Sequence, residues 1–246
     1  MSDAFPQHVL CVLGTGLDLA EVERVAAGFG GFVLDHEYSA SEPDDRMPEA
    51  FAASGAAVSF EDADRAAVES HDTVAYLLSA PMMRELAADT SRRLLAATAA
   101  LLRSGATAVK HEGSRLTHGR ERWLGIADDA SEATGEALAL ALVEAWVKRP
   151  VRDGEVSRTC GMHLLGAPEV EIEIHEDMSA RERRVHLDAL ALYLLTDPRG
   201  EEIEDGEGFR LTEDAPRWIL RTGDCHFEDP DDLSFNPYGY VRLTRP

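Results

Sequence analysis

A strand, a long helix and a second strand follow one another between residues 73 and 110, and this order limits the possible folds more than any other feature. Residues 73–78 are β-branched and apolar, and residues 82–103 are rich in alanine and leucine, which favour helix. Pro81 stands where a helix start tolerates a missing amide hydrogen, and Gly105 marks the helix end. Residues 106–110 then return as a strand. The order predicts a mixed fold of helices and sheets.

The segments before residue 73 extend this pattern to six elements. Residues 8–13 predict a strand, residues 17–29 repeat apolar residues at helical spacing, and residues 32–38 predict a second strand. With the three later segments they give the β-α-β-β-α-β order of a ferredoxin-like unit. We therefore expect residues 1–127 to form a ferredoxin-like α+β half. The insertion between its second and third strands predicts a weak helix at 49–53, a short strand at 56–60 and an ambiguous stretch at 62–72.

Residues 128–246 are expected to form a second, smaller α+β half that begins with a helical connection. Asp129 with Glu132, and Ser179 with Glu182, have the spacing of capping boxes, which begin helices. We expect antiparallel strands here, in a half that is either separate or packed with the first as one continuous unit. The expected helices of this half are 131–147 and 181–195, preceded by a helix at 114–126 at the end of the first half, and the expected strands are 156–165, 170–175, 209–211, 218–221 and 240–243.

The charge of the chain argues against two classes of partner. The 24 Lys and Arg stand against 46 Asp and Glu, which gives a formal net charge of -22. A nucleic-acid-binding protein needs a basic surface to displace counterions from phosphates, and an anionic membrane repels an acidic protein. The longest apolar run, residues 94–102, is about half the ~20 residues that a membrane-spanning helix needs. We therefore expect neither nucleic acid nor a membrane as a partner.

The beginning of the sequence and its cysteines predict a cytoplasmic location. Residues 1–7 carry an acid and no basic residue, and the apolar stretch 9–13 is too short for the core of a signal peptide. The cysteines are odd in number and far apart, unlike those of a disulfide framework. They are Cys11, Cys160 and Cys225.

One segment of this acidic chain is basic. Residues 92–122 contain seven basic and two acidic residues. A helix at 114–126 would place Ser114, His118 and Arg122 on one face, beside Lys110 and Glu112 at the end of the preceding strand. A helix start favours an anion, and histidine transfers protons near neutral pH. We predict a small anionic ligand, with or without catalysis, at Lys110, Glu112, Ser114, His118 and Arg122; the alternative is a solvated charged surface.

A second group of polar residues alternates along the strand predicted at 170–175. Glu169, Glu171, Glu173 and His175 would share one face of that strand. Such a row presents an acidic ribbon to a basic partner, holds a divalent cation, or forms the solvent side of a half-buried sheet. Neighbours on one side of a strand lie about 6.5–7 Å apart, which suits a metal ion poorly. The solvent side is the simplest interpretation.

Cysteine and histidine pairs suggest a zinc site only weakly. Cys160 with His163, and Cys225 with His226, supply two sulfurs and two nitrogens, but adjacent residues rarely point at the same ion. Because this spacing does not favour a zinc site, we predict no metal and no cofactor. Cys11 and Trp123 are expected in the core.

Two segments resemble an uncharacterised bacterial family, a domain of unknown function. Residues 159–172, Thr-Cys-Gly-Met-His-Leu-Leu-Gly-Ala-Pro-Glu-Val-Glu-Ile, are similar to its Gly-Met, Gly-x-Pro, acid and Glu-Ile signature. Residues 108–114 with His118, Arg122 and Trp123 resemble a branch of the same family, and the resemblance covers residues 73–221. It implies a cytoplasmic α+β protein, some relatives of which lie near toxin and immunity genes. It implies no reaction and no catalytic residue.

These observations lead to two functional hypotheses. The first is an acidic binding protein without enzymatic activity, an immunity-type or regulatory protein that recognises a basic protein partner through electrostatic complementarity. The second is a small-anion-binding protein or enzyme with its site between Lys110 and Arg122. The sequence leaves open whether any reaction is catalysed.

Overall fold

The first part of the chain builds a five-stranded sheet. The computed structural model describes residues 5–54 and 60–246, so most of the strand predicted at 56–60 lies outside the described residues. The elements of this part are β1 (Val9–Gly14), α1 (Leu19–Gly28), β2 (Val33–Leu34), α2 (Met47–Ser54), α3 (Asp62–Glu69), β3 (Thr73–Leu78), α4 (Arg84–Arg103), β4 (Ala106–His111), β5 (Leu116–Gly119) and α5 (Arg120–Ser131).

The strand order is β2-β3-β1-β4-β5, and every neighbouring pair is antiparallel. Apart from α2, α3, β5 and α5, the elements follow the predicted β-α-β-β-α-β order, and the α+β class is confirmed. β2 is shorter than the strand predicted at 32–38. It ends because the Asp35 side chain accepts a hydrogen bond from the Glu37 backbone amide, 3.0 Å away, and turns the chain out of the sheet.

The insertion between β2 and β3 covers the second face of the sheet. Cys11 and Leu13 of β1 point to that face, where they pack against Phe51 of α2 and Val68 of α3. The stretch that was ambiguous in the sequence is α3, whose N-terminus is closed by a capping box between Glu61 and Asp64. Because helices cover both faces, the β1 strand is apolar on both sides and Cys11 is fully buried, as predicted.

The helix predicted at 114–126 is wrong. A turn after β4 leads into β5, where His118 pairs with Val109 and Thr117 pairs with Lys110. Leu116, Thr117 and His118 are buried in this hairpin. Strand pairing and burial therefore outweigh the helical spacing of residues 114–126. Helix α5 begins only after Gly119, which is its N-cap.

The remaining chain builds a six-stranded sheet in the order β6-β7-β8-β11-β10-β9. Four neighbouring pairs are antiparallel as expected, but β8 and β11 pair in parallel. Its elements are α6 (Gly135–Trp146), β6 (Lys148–Asp153), β7 (Val156–Cys160), a 3-10 helix (Met162–Leu165), β8 (Glu169–Glu173), α7 (Ala180–Thr196), a second 3-10 helix (Pro198–Glu201), β9 (Gly208–Phe209), β10 (Trp218–Gly223) and β11 (Tyr240–Thr244).

Two predicted boundaries in this half need correction, and one strand was missed. Strand β7 stops at Cys160, because Gly161 adopts φ 121° and a Cβ there would lie 2.3 Å from the Trp146 carbonyl oxygen. Helix α6 begins after Thr134, so the proposed capping box of Asp129 and Glu132 is wrong. Strand β6 was not predicted. The capping box of Ser179 and Glu182 is confirmed at the start of α7.

The two sheets share one apolar core. Leu10 of β1 and Leu95 of α4 belong to the same buried cluster as Ile172 of β8 and Leu187 of α7. Trp123 is fully buried there, as predicted, with its side chain edge to face against Trp146 at 5.1 Å between ring centroids. The division into residues 1–127 and 128–246 stays a prediction. Among the helices of the described residues, none is both long enough and apolar enough to cross a bilayer.

Candidate functional site

Lys110 and Glu112, two of the five predicted ligand-binding residues, form an ion pair with each other. Lys110 lies opposite Cys11 of β1, on the sheet face that α2 and α3 cover, and its side chain is 11% exposed. The charge of this lysine is therefore already neutralised by a neighbouring carboxylate.

The other three residues lie elsewhere. His118 points to the opposite face of the sheet, where its Nε2 donates to the Ala145 carbonyl at 3.0 Å and its ring meets Trp123. Burial lowers the pKa of His118 to about 4, so this side chain is neutral and does not exchange protons near pH 7. Ser114 is buried, and Arg122 is exposed and pairs with Glu144 at 2.7 Å.

The expected common face of Ser114, His118 and Arg122 is thus wrong, because β5 replaces the helix that would have created it. Among the five residues, the structure brings only Lys110 and Glu112 together. Three surface cavities of about 390, 560 and 160 Å³ are lined by other residues. Binding of a small anion by this set stays a prediction that has lost its geometric basis.

The structure instead reveals a buried chain of hydrogen bonds that the sequence did not predict. The Ser114 amide donates to His111 Nδ1 at 3.1 Å, so His111 carries its proton on Nε2 and donates to His8 Nδ1 at 3.0 Å. His8 then donates from Nε2 to Ser91 Oγ at 2.8 Å, and Ser91 donates to the Leu164 carbonyl at 2.6 Å. Each ring nitrogen has a partner only when both histidines are neutral.

Burial agrees with this assignment of the histidine protons. It lowers the pKa of His8 to about 3, with a further contribution from the nearby His163, and it lowers the pKa of His111 well below its ordinary value. The chain of hydrogen bonds links the residue before β1, strand β4 and helix α4 to the 3-10 helix of the second half. It has the properties of a structural network, because every member is fully shielded from solvent.

Glu169 is the centre of a second buried network. Its carboxylate accepts hydrogen bonds from the backbone amides of Gly161 and Met162 at 3.0 and 2.9 Å. Burial alone would raise its pKa, but these bonds and those from the side chains hold the pKa below its ordinary value. The side-chain donors are Thr159 Oγ1 at 2.6 Å, Asn236 Nδ2 at 3.1 Å and His163 Nδ1 at 3.3 Å.

The expectation that Glu169 and Glu171 lie on the solvent side of the sheet is wrong. Both are buried, and Glu171 pairs with Arg242 at 2.6 Å. Residues between β10 and β11 cover this face: Phe227 lies over the Arg158 guanidinium at 4.3 Å, and Asn236 reaches Glu169. Burial raises the pKa of Glu171 in spite of Arg242. The strand offers no acidic ribbon to a partner.

Metal binding has no support in the described ranges 5–54 and 60–246. No three His, Cys, Asp or Glu side chains there are grouped closely enough to hold an ion. Cys160 is buried, and burial raises the pKa of its thiol to about 12, which opposes the thiolate that zinc needs.

Several exposed acidic residues follow one another at the end of the second 3-10 helix and in the loop after it. Glu201, the last residue of the second 3-10 helix, and Glu202 and Glu204 after it are exposed, and none of them forms an ion pair with a Lys or Arg that the structure describes. The loop is fixed to β10, because the Gly206 amide donates to the Leu220 carbonyl and the Leu220 amide donates back to Glu207, both at 2.8 Å. We call residues 201–207 the acidic loop.

Comparison with known proteins does not identify the chain. No family model, curated protein or solved structure gives a significant match. The resemblance of residues 159–172 to a family of unknown function therefore stays a prediction. The signature residues have a local explanation: Gly161 supplies the positive φ, and Glu169 accepts from the turn that follows it.

Proposed function

We propose that this protein is an acidic binding protein that recognises a basic protein partner, in an immunity-type or regulatory role. The observation that supports it is the acidic loop, where three exposed carboxylates lie on a fixed backbone with no basic side chain of the described chain neutralising them. Carboxylates arranged in this way attract a basic surface and accelerate its encounter with the protein. The chain as a whole carries a formal charge of -22, which adds to the long-range field.

Neutralisation of the acidic loop tests this function. We expect the triple variant Glu201→Gln, Glu202→Gln, Glu204→Gln to bind the partner about tenfold more weakly, since exposed charge contacts contribute about 0.5 kcal/mol each. The partner is recovered from native cells with the tagged wild-type protein, at about 0.15 M salt and again at about 1 M. Its affinity for each variant is then measured with purified components.

The matched control removes the same charge from three separate helices. Glu49, Glu69 and Glu136 are all exposed, and their replacement by Gln leaves the acidic loop intact. We expect this control to bind nearly as well as the wild type. Equal losses in both triple variants, or capture that survives high salt unchanged, would contradict recognition by the loop.

The small-anion hypothesis has no comparable observation behind it. Lys110 and Arg122 are each paired with a carboxylate of the chain, and they lie in different environments. We therefore keep binding to a basic protein as the single proposed function.

A further inference from the structure

A small surface cavity is lined by two exposed apolar side chains. Phe5 and Leu233 are large apolar residues that are 57% and 46% exposed, and they line the same cavity of about 160 Å³. Pro6, which also lines this cavity, accepts a hydrogen bond from the Met82 amide at 2.7 Å. The lining of the cavity is therefore hydrogen-bonded to the segment that leads into α4.

The start of α4 adds two more exposed apolar side chains. Met83 and Leu86 are 54% and 51% exposed and lie one turn apart, since the Leu86 amide donates to the Met83 carbonyl at 3.0 Å. Exposed apolar side chains that gather in one area mark interaction sites more often than isolated ones. We call Phe5, Met83, Leu86 and Leu233 the apolar surface.

The size and the rim of the cavity indicate the chemistry of its occupant. Its volume of about 160 Å³ is roughly half the ~300 Å³ at which small-molecule pockets begin, so it suits one apolar side chain rather than a cofactor. Asp231 and Asp232 line the cavity, and both are exposed. Arg115 lies 3.5 Å from Asp232 and offsets part of this charge, whereas Asp231 forms no ion pair with the basic side chains that the structure describes. The acidic rim therefore favours a partner in which the apolar side chain that enters the cavity is flanked by cationic residues.

We propose that the apolar surface is the docking site of the basic partner, and that the cavity receives one leucine-, methionine- or phenylalanine-type side chain flanked by Lys or Arg. This inference rests on the proposed function and specifies where the partner is anchored. Interfaces of this type combine a buried apolar anchor with a charged rim. A second copy of this chain is a poorer occupant, because two molecules of charge -22 repel each other.

Two peptides and two variants test the docking site. The probes are an amphipathic peptide of Leu and Lys and a peptide of Ser and Lys with the same length and charge, titrated at about 0.15 M salt. We expect the leucine-containing peptide to bind the wild type at least tenfold more tightly. The variant Phe5→Ser, Leu233→Ser should lose that preference. The variant Leu140→Ser, Val185→Ser removes two residues of similar exposure, 46% and 47%, outside the surface and should retain it.

The outcomes separate this inference from the proposed function. The docking site is wrong if the wild type binds the two peptides with equal affinity, or if the two variants show the same preference between the peptides. The proposed function still stands in that case if neutralisation of the acidic loop weakens the partner. If sedimentation shows a wild-type dimer that Phe5→Ser, Leu233→Ser converts to a monomer, the occupant is a second copy and the inference is wrong.

Discussion

Acidification from pH 7.5 to pH 5 is expected to reduce the free energy of unfolding by about 6 kcal/mol, a large part of the stability of an ordinary domain, which is about 5–15 kcal/mol. Three histidines are responsible. Burial lowers the pKa of His8 to about 3 and that of His118 to about 4, and it lowers the pKa of His111 well below its ordinary value. In the unfolded chain each of them titrates near 6.5.

The direction of the effect follows from proton binding. Above pH 6.5 the three side chains are neutral in both states and contribute no pH dependence. As the pH falls through 6.5, the unfolded chain binds protons that the folded protein cannot accept, so stability decreases until the pH reaches the folded-state pKa values. A proton difference of one contributes about 1.4 kcal/mol per pH unit, and each histidine loses about 2 kcal/mol between pH 7.5 and pH 5.

Urea unfolding at a series of pH values measures this loss. We expect a slope near 4 kcal/mol per pH unit around pH 5.5, which corresponds to about three protons. His118→Gln should lower this slope by about a third. His36→Gln is the matched control, because the side chain of His36 is 69% exposed, and it should leave the slope unchanged. A flat profile between pH 6.5 and 5, or the same slope in both variants, would show that the buried histidines are not the cause.

The periodic segments of the sequence were sufficient to predict much of the first sheet. The strand predicted at 73–78 matches β3, and the helix predicted at 82–103 matches α4 apart from its first two residues. Alanine-rich helix and β-branched strand are strong local signals, and Gly105 ends the helix as expected. Local propensity and tertiary burial agree in these segments, which is why their boundaries could be predicted.

The candidate site could not be predicted in the same way. The helix at 114–126 was inferred from local spacing, but pairing of β5 with β4 decides its structure, and strand pairing depends on distant residues. The solvent side of β8 was inferred from alternation, but Asn236 and Phe227 approach it from some seventy residues further along the chain. Alternation shows which residues share a face and does not show what covers that face.

The buried histidine chain had no sequence signal. His8 is separated by 83 positions from Ser91 and by 103 positions from His111, and no local pattern relates the three residues. Only the order of strands β3-β1-β4 and the position of α4 bring them together. The acidic loop, by contrast, has a local composition typical of an exposed loop, because its acids are interrupted by glycine and show no apolar period.

Replacement of Glu169 by glutamine is expected to destabilise the protein by about 3–5 kcal/mol at pH 7.5. The substitution keeps the size of the side chain. It replaces the carboxylate, which accepts hydrogen bonds from five donors, by an amide that has a weaker acceptor oxygen and an NH2 group that can only donate. The backbone amides of Gly161 and Met162 cannot turn away, because the positive φ of Gly161 fixes the turn. At least one buried donor is left without an acceptor.

Two further variants identify the source of that loss. Glu173→Gln lies on the same strand, has a side chain that is 39% exposed, and should change the free energy of unfolding by less than about 0.5 kcal/mol. Thr159→Val removes one donor and should cost about 1–2 kcal/mol, a value that remains measurable if Glu169→Gln does not fold. The carboxylate joins the end of β7, the 3-10 turn and the segment around Asn236, so unfolding midpoints in urea report all three at once. If Glu169→Gln and Glu173→Gln unfold at the same urea concentration, the buried carboxylate does not hold these segments together.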